Sequence, residues 1–183
     1  MTIRTLAAAG AAFALSLSAP AFAELPTGAR APDFAAPGAL AGKPFSFKLH
    51  QALKKGPVVL YFYPKAFTQG CTLEAHAFAE ATAQFKAAGA TVIGMSNDDV
   101  ATLQKFSTEA CRDKFAVASA SPDLIKAYDV DLRKPDGSST GLTKRTSYVI
   151  ARNGKIVMVH SDMDYRDHVK MTLAAVRKLK KTG

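Results

Sequence analysis

Tryptophan is absent from the 183 residues, and cysteine occurs twice. Two cysteines build neither a disulfide-dense scaffold nor a four-cysteine zinc site. Proline and glycine, at 9 and 12, are too few for a collagen-like or low-complexity chain. No fixed-period repeat is visible. No apolar run reaches the roughly 20 residues that cross a bilayer as a helix. Lysine and arginine outnumber acids by 24 to 15, for a formal charge of +9. Yet no arginine-rich arm and no aromatic RNA-binding strand accompanies that charge, so a nucleic-acid partner is not expected. The densest basic stretch, Arg177-Lys178-Leu179-Lys180-Lys181, suits the solvated end of a last helix, where cations meet the dipole. What remains is 48% hydrophobic and 21% charged, the composition of one ordinary folded domain.

Residues 1–23 have a different character. Arg4 is followed by an Ala/Leu-rich run from Leu6 to about Leu17, then by Ala21-Phe22-Ala23. A positive start, a short apolar core and a small-x-small ending read as a secretory signal cleaved before Glu24. The expected division is therefore a leader at 1–23 and one domain at 24–183. The expected location is the periplasm or the exterior, with no membrane attachment after cleavage. Outside the cytosol, two cysteines are able to form a disulfide.

Residues 24–44 look extended. Phe45 to Leu49 alternates as a half-buried strand does, and Val58 to Tyr63 is a continuous apolar run suited to a central strand. A helix is predicted from about Cys71 to Ala88, with Phe78, Ala81 and Phe85 inward and Gly89 as its stop. Thr91 to Met95 reads as a second buried strand. Ser96-Asn97-Asp98-Asp99 caps a helix carrying Val100, Leu103 and Phe106 inward. A third strand, Phe115 to Ala118, and a short helix, Pro122 to Tyr128, follow. Two strands flank Asn153-Gly154 as a hairpin, and a helix from about Tyr165 to Lys181 closes the chain. This order predicts an α/β fold, a mixed sheet with helices on both faces. In such sheets ligands gather beyond the carboxyl ends of parallel strands, here at Pro64 to Cys71.

Cys71 falls in the first turn of the helix after that strand. Unpaired N–H groups there favour an anion, so a thiol so placed is expected to ionise readily. Thr68 lies three residues earlier, where its hydroxyl is able to face the sulfur, and Pro64 is able to close the loop over it. From the residues alone, a reactive thiol and a buried inert cysteine are equally good readings.

Pro64-x-x-x-Thr68-x-x-Cys71 resembles the active-site signature of peroxiredoxins of the AhpC/TSA type. Tyr61-Phe62-Tyr63-Pro64-Lys65 and Thr68-Gln69-Gly70-Cys71-Thr72-Leu73-Glu74-Ala75 are similar to the bacterioferritin-comigratory, PrxQ-like branch. So are Gly28 to Phe34, Gly94-Met95-Ser96-Asn97-Asp98 and Arg145 to Ile150. The resemblance covers nearly all of residues 26–178 and implies a thioredoxin-like fold. It implies that Cys71 attacks peroxide and becomes a sulfenic acid. Thr68 would hydrogen-bond the peroxide, Arg145 would stabilise the thiolate and polarise the O–O bond, and Pro64 would shield the sulfur. Glu74 would orient an arginine or cap the helix. For Arg145 the alternative is a surface arginine at a strand edge. Peroxide and a thioredoxin-like or other thiol reductant are the implied partners. The implied assembly is a monomer or weak dimer, with no cofactor.

The chain departs from the branch at its second cysteine. A resolving cysteine often stands five residues after the first, where this chain has His76. The remaining candidate, Cys111, lies in the polar run Glu109-Ala110-Cys111-Arg112-Asp113, which suggests exposure. A Cys71–Cys111 disulfide and a one-cysteine mechanism with outside thiols both stay open, as does a peroxide-responsive redox sensor. His50, His76, His160 and His168 have no ligand spacing, and no metal is expected. Position 75 is Ala, so the paired Cys-x-x-x-Cys of copper-delivery relatives is absent.

Overall fold

A computed structural model describes residues 24–182. The expected leader at 1–23 and its cleavage point lie outside them. A seven-stranded mixed sheet runs in the order β2 (Lys43–Lys48), β1 (Ala35–Leu40), β5 (Ala116–Ser119), β4 (Thr91–Ser96), β3 (Val58–Phe62), β8 (Thr146–Ile150), β9 (Ile156–Ser161), the strands being numbered along the chain. Its centre is β3 (Val58–Phe62), all five residues of which are buried. The strand is apolar throughout because both faces are covered. β3 runs parallel to β4 (Thr91–Ser96), with Val58 opposite Thr91 and Phe62 opposite Met95. β4 runs parallel to β5 (Ala116–Ser119). The crossovers are α2 (Gln69–Ala87) and α3 (Val100–Glu109). On its other side β3 pairs antiparallel with β8 (Thr146–Ile150), which pairs with β9 (Ile156–Ser161) across the Asn153-Gly154 turn. A 3-10 turn, Tyr165–Asp167, leads into α5 (His168–Thr182).

The expected elements are present, with boundaries moved by a few residues. The helix predicted from Cys71 starts at Gln69, and Gly89 ends it with φ +76° and its N–H on the Lys86 carbonyl. The Asp99 carboxylate accepts from the Thr102 N–H and caps α3. Four elements differ from the sequence reading. The stretch 24–44 contains a strand, β1 (Ala35–Leu40), paired with β2 (Lys43–Lys48) through a turn with positive φ at Ala41 and Gly42. Its small residues, Ala, Pro and Gly, gave no alternation to read. α1 (Leu49–Lys55) begins where the strand was expected to end, and buries only Leu49 and Leu53. Seven residues are too few to show a helical period. A separate ribbon of β6 (Asp131–Arg133) and β7 (Ser139–Thr143) is largely polar, and it was not anticipated. The short helix α4 (Pro122–Ala127) precedes it.

Two apolar layers result, one on each face. One holds Leu49, Leu60, Phe62, Ile93, Met95, Tyr128 and Tyr148 beneath α1 and α4. The other holds Tyr61, Tyr63, Phe78, Phe85, Phe106 and Val176 beneath α2, α3 and α5, and it also contains both cysteines. Among the described residues no helix is long and apolar enough to cross a membrane.

Candidate active site

β3 delivers the chain to one end of the sheet, and the loop from Tyr63 to Thr68 turns it into α2. That loop is pinned from the next crossover. The Asp98 carboxylate accepts from the Ala66 N–H at 2.8 Å and from the Ser96 hydroxyl at 2.8 Å. Phe67 takes a positive φ of +64° and sets its ring edge-on to Phe106. Thr68 is the extended residue before the helix. Cys71 then sits in the first helical turn, 1% exposed.

Arg145, in the link between β7 and β8, reaches that turn. Its Nη2 lies 3.5 Å from Cys71 Sγ. Its Nη1 donates to the buried Glu74 carboxylate one turn further along α2, and its Nε donates to the Met163 carbonyl at 2.9 Å. Three anchors thus fix the guanidinium plane, and Arg145 is buried rather than a surface arginine. Gly70 leaves room for it: a Cβ there would stand 3.2 Å from Nη2. Burial pushes the Glu74 carboxyl up to about 8, against the lowering pull of Arg145.

The other expected site residues are placed less closely. Pro64 is half-buried in the same loop. Thr68 is exposed, and its hydroxyl donates to the Lys65 carbonyl at 3.0 Å. Cys111 is a correction. Its polar neighbours suggested exposure, but it is wholly buried. It follows α3 with its N–H on the Phe106 carbonyl, and the chain reverses at Arg112 and Asp113, both with positive φ. That reversal turns the polar neighbours outward and the thiol inward. Burial pushes the Cys111 thiol well above the ordinary range, and the Asp113 charge adds to this. Both cysteines are free thiols. They share the same apolar layer, with Tyr61 and Tyr63 close to both.

Sequence reasoning missed His168 and Ser147. His168 opens α5, buried, with Ser147 Oγ 2.8 Å from its Nδ1 and Glu74 Oε1 at 3.7 Å. Its only sequence signal was a lone histidine in the first turn of the predicted last helix, which carries no chemistry by itself. Among the described residues no group of three metal-ligating side chains comes together.

The family model described as AhpC/TSA matches residues 27–159. The chain belongs to the AhpC/TSA family. The chloroplastic peroxiredoxin Q of Arabidopsis thaliana is 35% identical over 86% of this chain and 70% of its own length. That of Suaeda salsa is 33% identical over 69% of this chain, which spans only 58% of that relative. Among solved structures, the peroxidoxin BcpB of Mycobacterium tuberculosis superposes with a TM-score of 0.73 at 32% identity, covering 84% of this chain and 97% of that one. A bacterioferritin comigratory protein of Xanthomonas campestris, whose alkyl peroxide reduction has been studied, gives 0.69 at 28% identity, over 79% and 91%. The fold is thus thioredoxin-like, as an AhpC/TSA member should be.

Proposed function

We propose that this AhpC/TSA member is a thiol peroxidase whose attacking group is Cys71. One observation carries the reading: the Arg145 guanidinium at the helix start is pinned by Glu74 and Met163 with its remaining edge 3.5 Å from Cys71 Sγ. A cation held there favours the thiolate and meets the charge that develops on the peroxide oxygens. The thiolate attacks one peroxide oxygen, the S–O bond forms and the O–O bond breaks. The departing oxygen takes a proton and leaves as water or an alcohol, and the cysteine is left as a sulfenic acid. Hydrogen peroxide and organic hydroperoxides both fit this step. The alkyl peroxide reduction of the Xanthomonas relative supports including the second class.

Thr68 takes the role of a peroxide hydrogen-bond partner, which requires its hydroxyl to leave the Lys65 carbonyl. Pro64 shields the sulfur. Cys111 attacks the sulfenic sulfur, releases water and forms a disulfide, which a thioredoxin-like or other dithiol then reduces. Its burial means that the turn at Ala110 to Asp113 must open first, because only an uncovered thiol ionises and reaches another sulfur within about 7 Å between Cα atoms. The same burial favours a second reading, a one-cysteine cycle in which external thiols reduce the sulfenic acid directly. The chain acts after export, as the pattern at 1–23 supports, and as a monomer or weak dimer.

Stopped-flow peroxide reduction with peptide mapping tests these readings together. One equivalent of peroxide should oxidise Cys71, and a Cys71–Cys111 peptide pair should follow. Cys71 oxidised with Cys111 still free would select the one-cysteine cycle. No oxidation of Cys71 would reject the peroxidase. An N-terminal sequence other than Glu24 in exported protein would reject the cleavage point.

A further inference from the structure

The end of the sheet away from Cys71 carries a groove that the peroxide step does not use. It opens where β4 and β5 begin, beside the last turns of α1 and α2 and the edge strand β2. Its volume is about 370 Å³. The wall is apolar: Phe45 comes from β2, Phe85 from α2, Ile93 from β4 and Phe115 from the chain entering β5. Leu40 and Phe45, 38% and 36% exposed, keep apolar surface open to water there. Single exposed apolar residues need no explanation, but two in one concave patch walled by buried rings mark a place that a ligand covers.

Four cations stand around it: Lys48, Lys55, Lys86 and Lys114, all exposed. No acidic side chain lines the groove. Among the described residues none of the four lysines enters an ion pair. Glu80, further up α2, is turned to Arg112 at 3.3 Å. Lys55 and Lys86 also close their helices, where the carbonyl ends attract cations. Lys48 and Lys114 have no such reason to be there, and Lys48 stands at the start of α1, where a cation opposes the dipole. Charge of one sign on low-dielectric walls focuses the field and draws in an anion.

The polar groups of the floor are already engaged. The Thr82 hydroxyl donates to the Phe78 carbonyl at 2.9 Å. The N–H groups of Ala90, Thr91 and Lys114 donate to the carbonyls of Phe85, Pro57 and Cys111. A peptide laid in the groove would bring carbonyls for which these groups offer no donor. An acyl chain brings none, and its size fits. A cavity of about 150 Å³ accepts benzene, so this volume takes a chain of about a dozen carbons.

We propose that this groove binds a long-chain carboxylate, its acyl chain against Phe45, Phe85 and Phe115 and its head among the lysines. The site is separate from the reacting sulfur. Thr82 and Phe85 lie about 16 to 21 Å along α2 from Cys71. A hydroperoxide seated there is not reduced in place, and the proposal stands whether or not Cys71 reduces peroxide.

The chain lacks tryptophan, so Phe45→Trp supplies a single fluorescent reporter at the groove. Dodecanoate, kept below its micellar concentration, should shift the emission to shorter wavelength and saturate at one ligand per chain. The dissociation constant should be about 10 to 300 μM, and calorimetry on the wild type should find one site of similar affinity. Dodecyltrimethylammonium, the same chain with a positive head, should give no saturable signal. Lys86→Gln/Lys114→Gln should weaken dodecanoate about tenfold or more, since two charged partners of the head are lost. Ala52→Leu fills the groove and leaves the lysines in place, and it should weaken binding at least as much. Should Ala52→Leu fail to fold, the exposed lysine variant and the cationic analogue still decide. Overturning results are no saturable response in either assay up to about 1 mM, equal affinity for the cationic chain, or binding unmoved by Lys86→Gln/Lys114→Gln. Retention on phosphatidylglycerol vesicles, or binding of a glutamate-rich peptide, with no response to dodecanoate would overturn it in favour of a membrane or a protein partner.

Discussion

The two faces of the sheet treat their buried polar groups differently. On the face beneath α1 and α4, the Tyr128 hydroxyl donates to the Pro32 carbonyl at 2.7 Å. The Tyr148 hydroxyl donates to the Tyr128 carbonyl at 2.8 Å and receives the Leu25 N–H. On the sulfur-bearing face, Tyr61 Oη, Glu74 Oε1 and His160 Nε2 are buried without partners. Unpaired buried groups cost stability, and native structures keep few of them. Their gathering around Cys71 and Arg145 indicates that one face is built for stability and the other holds groups for chemistry.

Substitutions should separate the faces most sharply in rate. Cys71→Ser should reduce peroxide consumption to background, since serine at the same place is not a thiolate. Arg145→Ala should slow the first oxidation by about 100- to 1,000-fold, the usual effect of one lost transition-state donor. Its fold should persist, because Glu74 escapes the loss of its partner by remaining protonated. Tyr148→Phe, on the other face, should leave the rate within a factor of about two while weakening the fold by about 1 kcal/mol. Stopped-flow rates beside circular dichroism and urea titration check all three. A normal rate in Arg145→Ala would erase the distinction.

That comparison also explains what was legible in the sequence. β3 announced itself because burial on both faces requires an unbroken apolar run, and Cys71 was located by its place after that strand. Phe78, Ala81 and Phe85 gave α2 its inward stripe. The resemblance brought in Arg145, which no local pattern marks, and the structure places it against Cys71 across 74 residues of chain. Where partners are set only by tertiary folding, the sequence was silent. His168 meets Glu74 because α5 packs on α2. Cys111 misled because exposure was judged from its neighbours, whereas two left-handed residues at 112 and 113 reverse the chain and hide the thiol. β1 was missed because its alanines, proline and glycine carry no periodicity.

The buried titratable groups of that face should also make stability depend on pH. Glu74 rises from 4.5 in an open chain to about 8 when folded. The folded state then binds more protons between those values, so stability falls as pH rises through that interval. His168 moves the other way, from 6.5 to about 4, and its contribution grows with pH between those values. The two offset one another between 4.5 and 6.5. From 6.5 to 8 only Glu74 acts, and about 2 kcal/mol should be lost. Urea denaturation at closely spaced pH values measures this. Glu74→Gln should remove the decline above 6.5, and a wild-type curve flat to pH 8 would contradict it.

The smallest expected effect tests the comparison on a single atom. Tyr61 packs its ring on Phe78, with centroids 4.3 Å apart, and Gly94 leaves space for its hydroxyl, which a Cβ there would meet at 2.8 Å. The ring is therefore held by stacking and by the missing side chain at 94, while its hydroxyl is buried without a partner. Tyr61→Phe keeps the ring and removes a desolvated hydroxyl. The folded state should gain about 1 kcal/mol, because the deleted group is better hydrated in the open chain. Tyr148→Phe should do the reverse, since it orphans the Tyr128 carbonyl and the Leu25 N–H. The same deleted atom would then have opposite signs on the two faces, read as opposite shifts of the urea midpoint at unchanged slope. If Tyr61→Phe is destabilised like Tyr148→Phe, the hydroxyl of Tyr61 has a partner in solution, and the contrast between the faces loses that residue.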